Sequence, residues 1–420
     1  RPSEVLFTHL ESTPVNVAVE LGPASACILA ILAGLGWWLA FAQRGRRHNR
    51  RPRQIALLGI AVLNGLVLVT YFNDLRALGL GVDEAQYWLW SNGFDFGYYT
   101  KPPLTSWIIG LSHSLFGHHE WAVRLPAPWL HLATSLVLWR AADWLAGPAA
   151  GRIAAMIWMT LPSIALGSFV ISTDTPLLLC WSAGVLALVG VLTGRLRERR
   201  GMLLAGGAFG AAMLAKYAAI YGLAGLALFV LATNVLSRGN DRQKVIGWRG
   251  LGLFALGMVV VASPNILWNF ANELTTVRHL GDNANLELQS YSLAGSIGFL
   301  AAQFATAGPV VFALMFGILR TRRGDDAGLL LLCLSAPVIL FIMVQAFLSE
   351  ANANWGLAAM PALVLWLARW MAQARPVIGR LAIGINLGLC VLIISVTTAG
   401  SLGPLTPDSD PFRRLRGWQA

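Results

Sequence analysis

The chain has 420 residues, 56% hydrophobic and only 12% charged, with a mean hydropathy of +0.62. Soluble domains carry about 25% charged residues, so a soluble globule, a disordered chain and a coiled coil are excluded at the outset. A net charge of +11 and a pI near 10.2 would suggest nucleic acid in a soluble protein. In a chain this apolar they ask instead on which side of a bilayer the cations lie.

Apolar stretches of the length a bilayer demands of helices recur from end to end. They predict twelve crossings, at 24–42, 55–72, 126–146, 149–170, 175–194, 202–215, 218–236, 250–268, 293–318, 327–348, 356–372 and 378–398. Arg369, Arg375 and Arg380 separate the last two. The fold class expected is therefore an all-α polytopic membrane protein. The connections on one side hold 22 of the 31 basic residues but only five of the 20 acidic ones, which assigns them to the cytoplasm and both termini to the opposite side. The run RGRRHNRRPR sits between the first two spans and reads as a topology signal, not a nucleic-acid patch. Cys27, Cys180, Cys333 and Cys390 all fall in apolar spans and read as small buried residues rather than a disulfide or metal set.

Nine basic residues remain elsewhere: Arg1, Arg76, Lys101, Arg124, Lys216, Arg278, Arg413, Arg414 and Arg416. Orientation does not explain them. The longest outer connection, 73–125, is rich in aromatic residues, among them Tyr87, Trp88, Trp90, Tyr98, Tyr99 and Trp107, which suits a segment lying at headgroup level. After Lys101-Pro102-Pro103, Leu104, Trp107, Ile108, Leu111 and Leu115 fall on one helical face, with Thr105, Ser106, Ser112 and His113 on the other. This predicts an amphipathic interfacial helix rather than a span. Asp83-Glu84 opens the connection, either as a helix N-cap with a dipole-favoured neighbour or as a carboxylate of raised basicity beside apolar walls.

Further outer turns add polar groups to the same face. STDTP supplies Asp174, and the short hairpin over 202–236 carries Lys216-Tyr217 at its apex, where a cation is either functional or snorkelling. WNFANELTTVRHLGDNAN supplies Glu273, Arg278, His279 and Asp282, and SEANANWG supplies Glu350, Asn352 and Asn354. Carboxylates, a few cations, amides and aromatics at one interface are what a lipid-linked anionic sugar donor needs. His113, His118, His119 and Glu120 follow no zinc spacing and read as interfacial histidines, so no metal ligand is assigned.

In order, DEAQYW, YYTKPP, STDTPLL, the KY hairpin, WN…R…N and ANW-x₃-AMP resemble the polyprenyl-phosphate-sugar glycosyltransferases of the GT-C fold, in the protein-mannosyltransferase-like group. Within that group the chain is similar to the lipid A aminoarabinose transferase and the lipopolysaccharide galacturonosyltransferases. The resemblance covers roughly 55–418 and implies a GT-C bundle of about 12 transmembrane helices, interfacial helices in the first long outer loop, and inverting transfer without a nucleotide sugar. Asp83 matches the catalytic carboxylate acting as general base on the acceptor, with Glu84 grouped beside it. Lys101, Tyr98 and Arg278 match donor-phosphate positions; Asp174 matches the second acidic position, grouped with Lys216, Tyr217, Tyr87 and Asn354. If the acceptor is itself a phosphate, Asp83 mainly positions it.

The resemblance implies no required cofactor, although the same carboxylates are compatible with a divalent metal. The implied partners are a polyprenyl-phosphate-linked sugar, a lipid or glycan acceptor and membrane lipids, with no nucleic acid and no assigned oligomeric state. It also implies a bacterial inner-membrane location with the site facing the periplasm. The chain then divides into an additional span with a basic loop (1–54), the transferase domain (55–398) and a short outer tail (399–420), where many relatives continue into a soluble domain. Two rivals are kept. A protein O-mannosyltransferase-like enzyme would use the same donor chemistry on Ser/Thr hydroxyls, and a lipid-linked-sugar flippase would carry ionisable groups near the midplane.

Overall fold

The computed structural model describes residues 79–236, 246–283, 291–318, 325–373 and 376–399. The predicted spans at 24–42 and 55–72 and the tail beyond 399 lie outside the described residues. All regular secondary structure among the described residues is helical. Three short helices, α1 (Val82–Ser91), α2 (Leu104–Phe116) and α3 (Glu120–Arg124), precede α4 (Pro126–Ala146). Then follow α5 (Pro148–Met159), α6 (Pro162–Gly167), α7 (Asp174–Leu192), α8 (Glu198–Ala215), α9 (Ile220–Leu236) and α10 (Trp248–Ala271). The chain continues through α11 (Thr275–Asn283), α12 (Leu293–Ala307), α13 (Pro309–Ile318), α14 (Asp326–Cys333), α15 (Ala336–Leu348), α16 (Met360–Gln373) and α17 (Pro376–Ala399). Short 3₁₀ turns occupy Tyr217–Ala219 and Ala353–Ala359.

Five described segments are long and apolar enough to cross a membrane, or six if the bent pair α12–α13 counts as one span. This is a multi-pass membrane protein. Two predicted single spans are broken. The segment 149–170 splits at Thr160-Leu161 because Pro162 starts a new helix and cannot continue the old ladder. The segment 293–318 bends by 118° between Ala307 and Pro309. Gly308 takes a left-handed φ of 86° there, and the orphaned carbonyl of Ala307 accepts a hydrogen bond from Asn386 Nδ2 at 2.8 Å. α14 and α15 together make the span from Asp326 to Leu348.

The predicted short hairpin is real: α8 ends at Ala215, Lys216 takes an extended conformation, and α9 leads away from the turn. α8 can be weakly hydropathic because α7 and α10 cover it. Its GGAFG segment meets α10 backbone to backbone. A Cβ at Gly210 would lie 2.6 Å from the carbonyl oxygen of Met258, and one at Gly257 2.7 Å from that of Leu203. Between membrane helices, where apolar burial gives no drive to associate, such close small-residue contact supplies the packing.

α2 confirms the interfacial reading with a twist in its sense. Thr105, Ser106 and Ser112 are buried against the protein, while Leu111, Leu115 and Phe116 point outward. A helix with its polar face inward and apolar face outward suits lipid and would be inverted in water.

Candidate active site

α1 starts at Gly81, so Asp83 stands in the first turn rather than at the N-cap. One residue decides the division of labour between the paired acids: at about 100° per residue, Asp83 faces out and Glu84 faces in. Glu84 is sealed. Its Oε2 accepts from Arg124 Nη2 at 2.7 Å and from the Gly81 amide at 2.9 Å. Its Oε1 accepts from Arg124 Nε at 2.9 Å and from the Ile171 amide at 3.1 Å. Arg124 also donates to the Gly79 carbonyl at 2.7 Å. Both oxygens of Glu84 are thus engaged with protein donors, an arrangement that suits a structural role. Arg124, an outer cation to which no role was given, is its partner.

Asp83 is exposed, and its charge is felt by Tyr87 one turn along the same helix. Tyr87 is almost completely buried and hydrogen-bonds with Thr173. Burial, then the carboxylates of Asp83 and Asp174, hold its phenol protonated well above the usual tyrosine range. Tyr87 thus feels the charge of both acids. Asp174, at the start of α7, is clamped: Lys216 Nζ donates to its Oδ1 at 2.8 Å and Asn354 Nδ2 to its Oδ2 at 2.8 Å. Three separate connections converge there, as their shared side of the membrane anticipated. Lys216 is an ion-pair partner, which replaces the snorkelling alternative.

Tyr217 faces a second network. Its hydroxyl donates to Asn265 Oδ1 at 2.8 Å and accepts from Asn269 Nδ2 at 2.9 Å. Asn265 Nδ2 donates to the Phe96 carbonyl at 2.7 Å and Thr276 Oγ1 to the Tyr98 carbonyl at 2.7 Å. These bonds anchor the loop 94–101 onto α10 and α11. Gly97 allows the approach, since a Cβ there would collide with the Trp268 ring. Asn265 and Asn269 were missed in the sequence reading. Two amides one turn apart in an apolar helix were the available signal.

Tyr98 is committed within the loop. Its hydroxyl donates to the Gly93 carbonyl at 2.8 Å, its ring stacks on Trp90 at 5.0 Å, and burial raises its pKa. The Tyr98 amide also donates to the Lys101 carbonyl at 3.2 Å, which closes the Lys101 turn. Thr100 Oγ1 donates to Gln86 Oε1 at 3.2 Å, tying that turn to the helix bearing Asp83. Lys101 is half-buried and makes no ion pair among the described residues. Arg278 is exposed on α11 and approaches Glu273 at 3.6 Å.

The interfacial histidines are also engaged. His118 Nδ1 accepts from Trp88 Nε1 at 3.2 Å, and His113 Nε2 pairs with Ser91 Oγ at 2.9 Å. No group of three or more metal-ligating side chains occurs among the described residues.

Residues 100–268 match the family described as dolichyl-phosphate-mannose-protein mannosyltransferase. The chain is 35% identical over 366 residues to the lipid A galacturonosyltransferase RgtD of Rhizobium johnstonii, covering 84% of this chain and 74% of that protein. In fold it is similar to ArnT from Cupriavidus metallidurans, crystallised with undecaprenyl phosphate. That match has a TM-score of 0.60 at 18% identity, covering 81% of this chain and 77% of that one. The Archaeoglobus fulgidus oligosaccharyltransferase matches with a TM-score of 0.50 at 13% identity, covering 86% and 57% of the two chains.

Proposed function

Because this chain belongs to the GT-C glycosyltransferases, the family of the lipid A galacturonosyltransferase RgtD, we propose that it moves a sugar from a polyprenyl-phosphate donor onto lipid A or a related envelope lipid. The reaction takes place at the periplasmic face of the bacterial inner membrane and inverts the anomeric centre. Residues 55–398 are the transferase unit. Two bonds carry the reading: Ile171 to Glu84 brings the start of α7, with Asp174, to the helix that bears Asp83, and Thr100 to Gln86 ties the Lys101 turn to that same helix. An exposed carboxylate and a cation with no ion pair among the described residues stand there on held elements.

In the reaction, an acceptor oxygen attacks the anomeric carbon as its proton passes to Asp83. The bond from that carbon to the donor phosphate oxygen breaks, and polyprenyl phosphate leaves with the bonding pair. Lys101 meets the growing negative charge on that phosphate. Asp174 does not act as a second base, since Lys216 and Asn354 occupy its oxygens. It holds the 3₁₀ turn at Ala353 and the hairpin apex in place around the substrate.

The similarity to a lipid A transferase favours a lipid acceptor over a protein hydroxyl and makes galacturonosyl donors the first to test. Purified chain is incubated with radiolabelled galacturonosyl or aminoarabinosyl polyprenyl phosphate and with separate lipid and protein fractions. Label is expected in the lipid fraction and absent from Asp83→Asn. Label in protein alone, or full activity of Asp83→Asn, would overturn the proposal.

A further inference from the structure

The opposite end of α7 carries a feature that the transferase chemistry does not use. α7 has 19 residues, so its ends lie about 28 Å apart at 1.5 Å per residue. That is close to the thickness of the hydrocarbon core, about 30 Å. With Asp174 at one interface, Arg195 therefore stands at the other. There the α7–α8 connection borders a cavity of about 660 Å³.

The cavity is lined by Arg195, Arg197, Arg199 and Arg200, with Leu203 and Leu204 below them. Among the described residues no acidic side chain contributes to the lining. The turn is built rather than loose. The amides of Arg195 and Leu196 both donate to the Gly190 carbonyl, at 2.8 and 2.9 Å, and Gly194 takes a left-handed φ of 69°. Leu196 packs on the bare backbones of Gly190 and Gly201. Arg195 lies 5.6 Å from the centre of the Trp144 ring, which fixes its direction.

Charge that only sets orientation has no reason to gather four guanidiniums around one cavity that also holds Leu203 and the half-exposed Leu204. We propose that this cavity is a binding site for an anionic phospholipid of the bilayer. The guanidiniums hold the headgroup phosphate and the leucines meet the start of the acyl chains. The site is independent of the sugar acceptor and of the catalytic face.

The test uses detergent-solubilised full chain titrated with phosphatidylglycerol, bound lipid being counted by native mass spectrometry. Phosphatidylcholine and inorganic phosphate are the comparison probes. One phosphatidylglycerol should bind in preference to phosphatidylcholine. Arg197→Gln with Arg199→Gln should weaken it by about thirtyfold, at roughly fivefold for each cation near a lipid phosphate. Arg195→Gln with Arg200→Gln should act likewise, whereas Arg249→Gln with Arg380→Gln should leave it in place. Equal binding of phosphatidylcholine, or equal losses in all three pairs, would overturn the site. Displacement of the lipid by millimolar inorganic phosphate would make it a free-anion site and overturn the lipid assignment.

Discussion

Arg124→Ala would leave the Glu84 carboxylate, 1% exposed, with only the Gly81 and Ile171 amides as partners. Removing one member of a buried ion pair costs about 3–5 kcal/mol, because the remaining charge can neither pair nor reach water. The loss reaches the site through connectivity. Glu84 joins α1, which bears Asp83, to Ile171, three residues before Asp174. The midpoint of thermal unfolding in detergent, followed by tryptophan fluorescence, should fall by on the order of 5 °C, with transferase activity falling in parallel. Glu84→Gln combined with Arg124→Met should recover part of the stability, since no unpaired charge remains buried and the glutamine oxygen can still accept from one of the two amides. Asp83→Asn should behave in the opposite manner, keeping the wild-type midpoint while turnover drops about 10²–10⁴-fold. A Glu84→Gln protein that melts like wild type but has lost turnover would refute this assignment, since it would make Glu84 a chemical group.

Further outcomes follow from other parts of the molecule. Lys101→Gln should weaken donor use by about 10- to 150-fold, the worth of a charged hydrogen bond of about 1.5–3 kcal/mol, and Arg278→Gln should cost less. Steady-state kinetics giving the reverse order would move the phosphate site to α11. Gly206→Ala should lower stability by about 1–3 kcal/mol, because its methyl would strike the Phe254 carbonyl and push α8 off α10; an unchanged melting midpoint would contradict that packing. At Asp325, burial alone would raise the carboxyl. The hydrogen bond and charge of Arg369 and the Gly328 amide outweigh it and hold it below its usual value. A depressed carboxyl stabilises above its unfolded pKa, and that contribution disappears as pH falls through the folded value. The difference in melting midpoint between wild type and Arg369→Gln should therefore narrow below about pH 4; a difference that widens there would refute the ion pair.

Much of the candidate site was legible because topology needs only hydropathy and charge. Placing Asp83, Asp174, Lys216 and Asn354 on one side required no coordinates. What pairs with what was not legible. Asp83 and Glu84 are neighbours in sequence with the same chemistry, and only the rotation of α1 sends one outward and the other to Arg124, 40 residues along the chain. The Tyr98 hydroxyl looked available for phosphate until the loop closed on Gly93. Breaks inside long apolar runs were also hidden. Pro162 was a visible signal, but the bend at Gly308 depends on Asn386 reaching back to the freed carbonyl of Ala307.

The sequence by itself determined the low-charge, membrane-spanning character, and its charge distribution predicts which connections share a side. Transfer free energy into a bilayer acts on each segment separately and is read locally. The reading of +11 as orientation rather than nucleic-acid binding came from the same source. Only the tertiary structure decided which ionisable groups are spent on each other and which remain for substrate. Ion pairs and hydrogen bonds depend on approach to within a few ångströms of groups 40 to 180 residues apart. Among the described residues the tertiary structure engages Glu84, Tyr98 and Asp174 with protein partners, while Asp83 is exposed and Lys101 makes no ion pair.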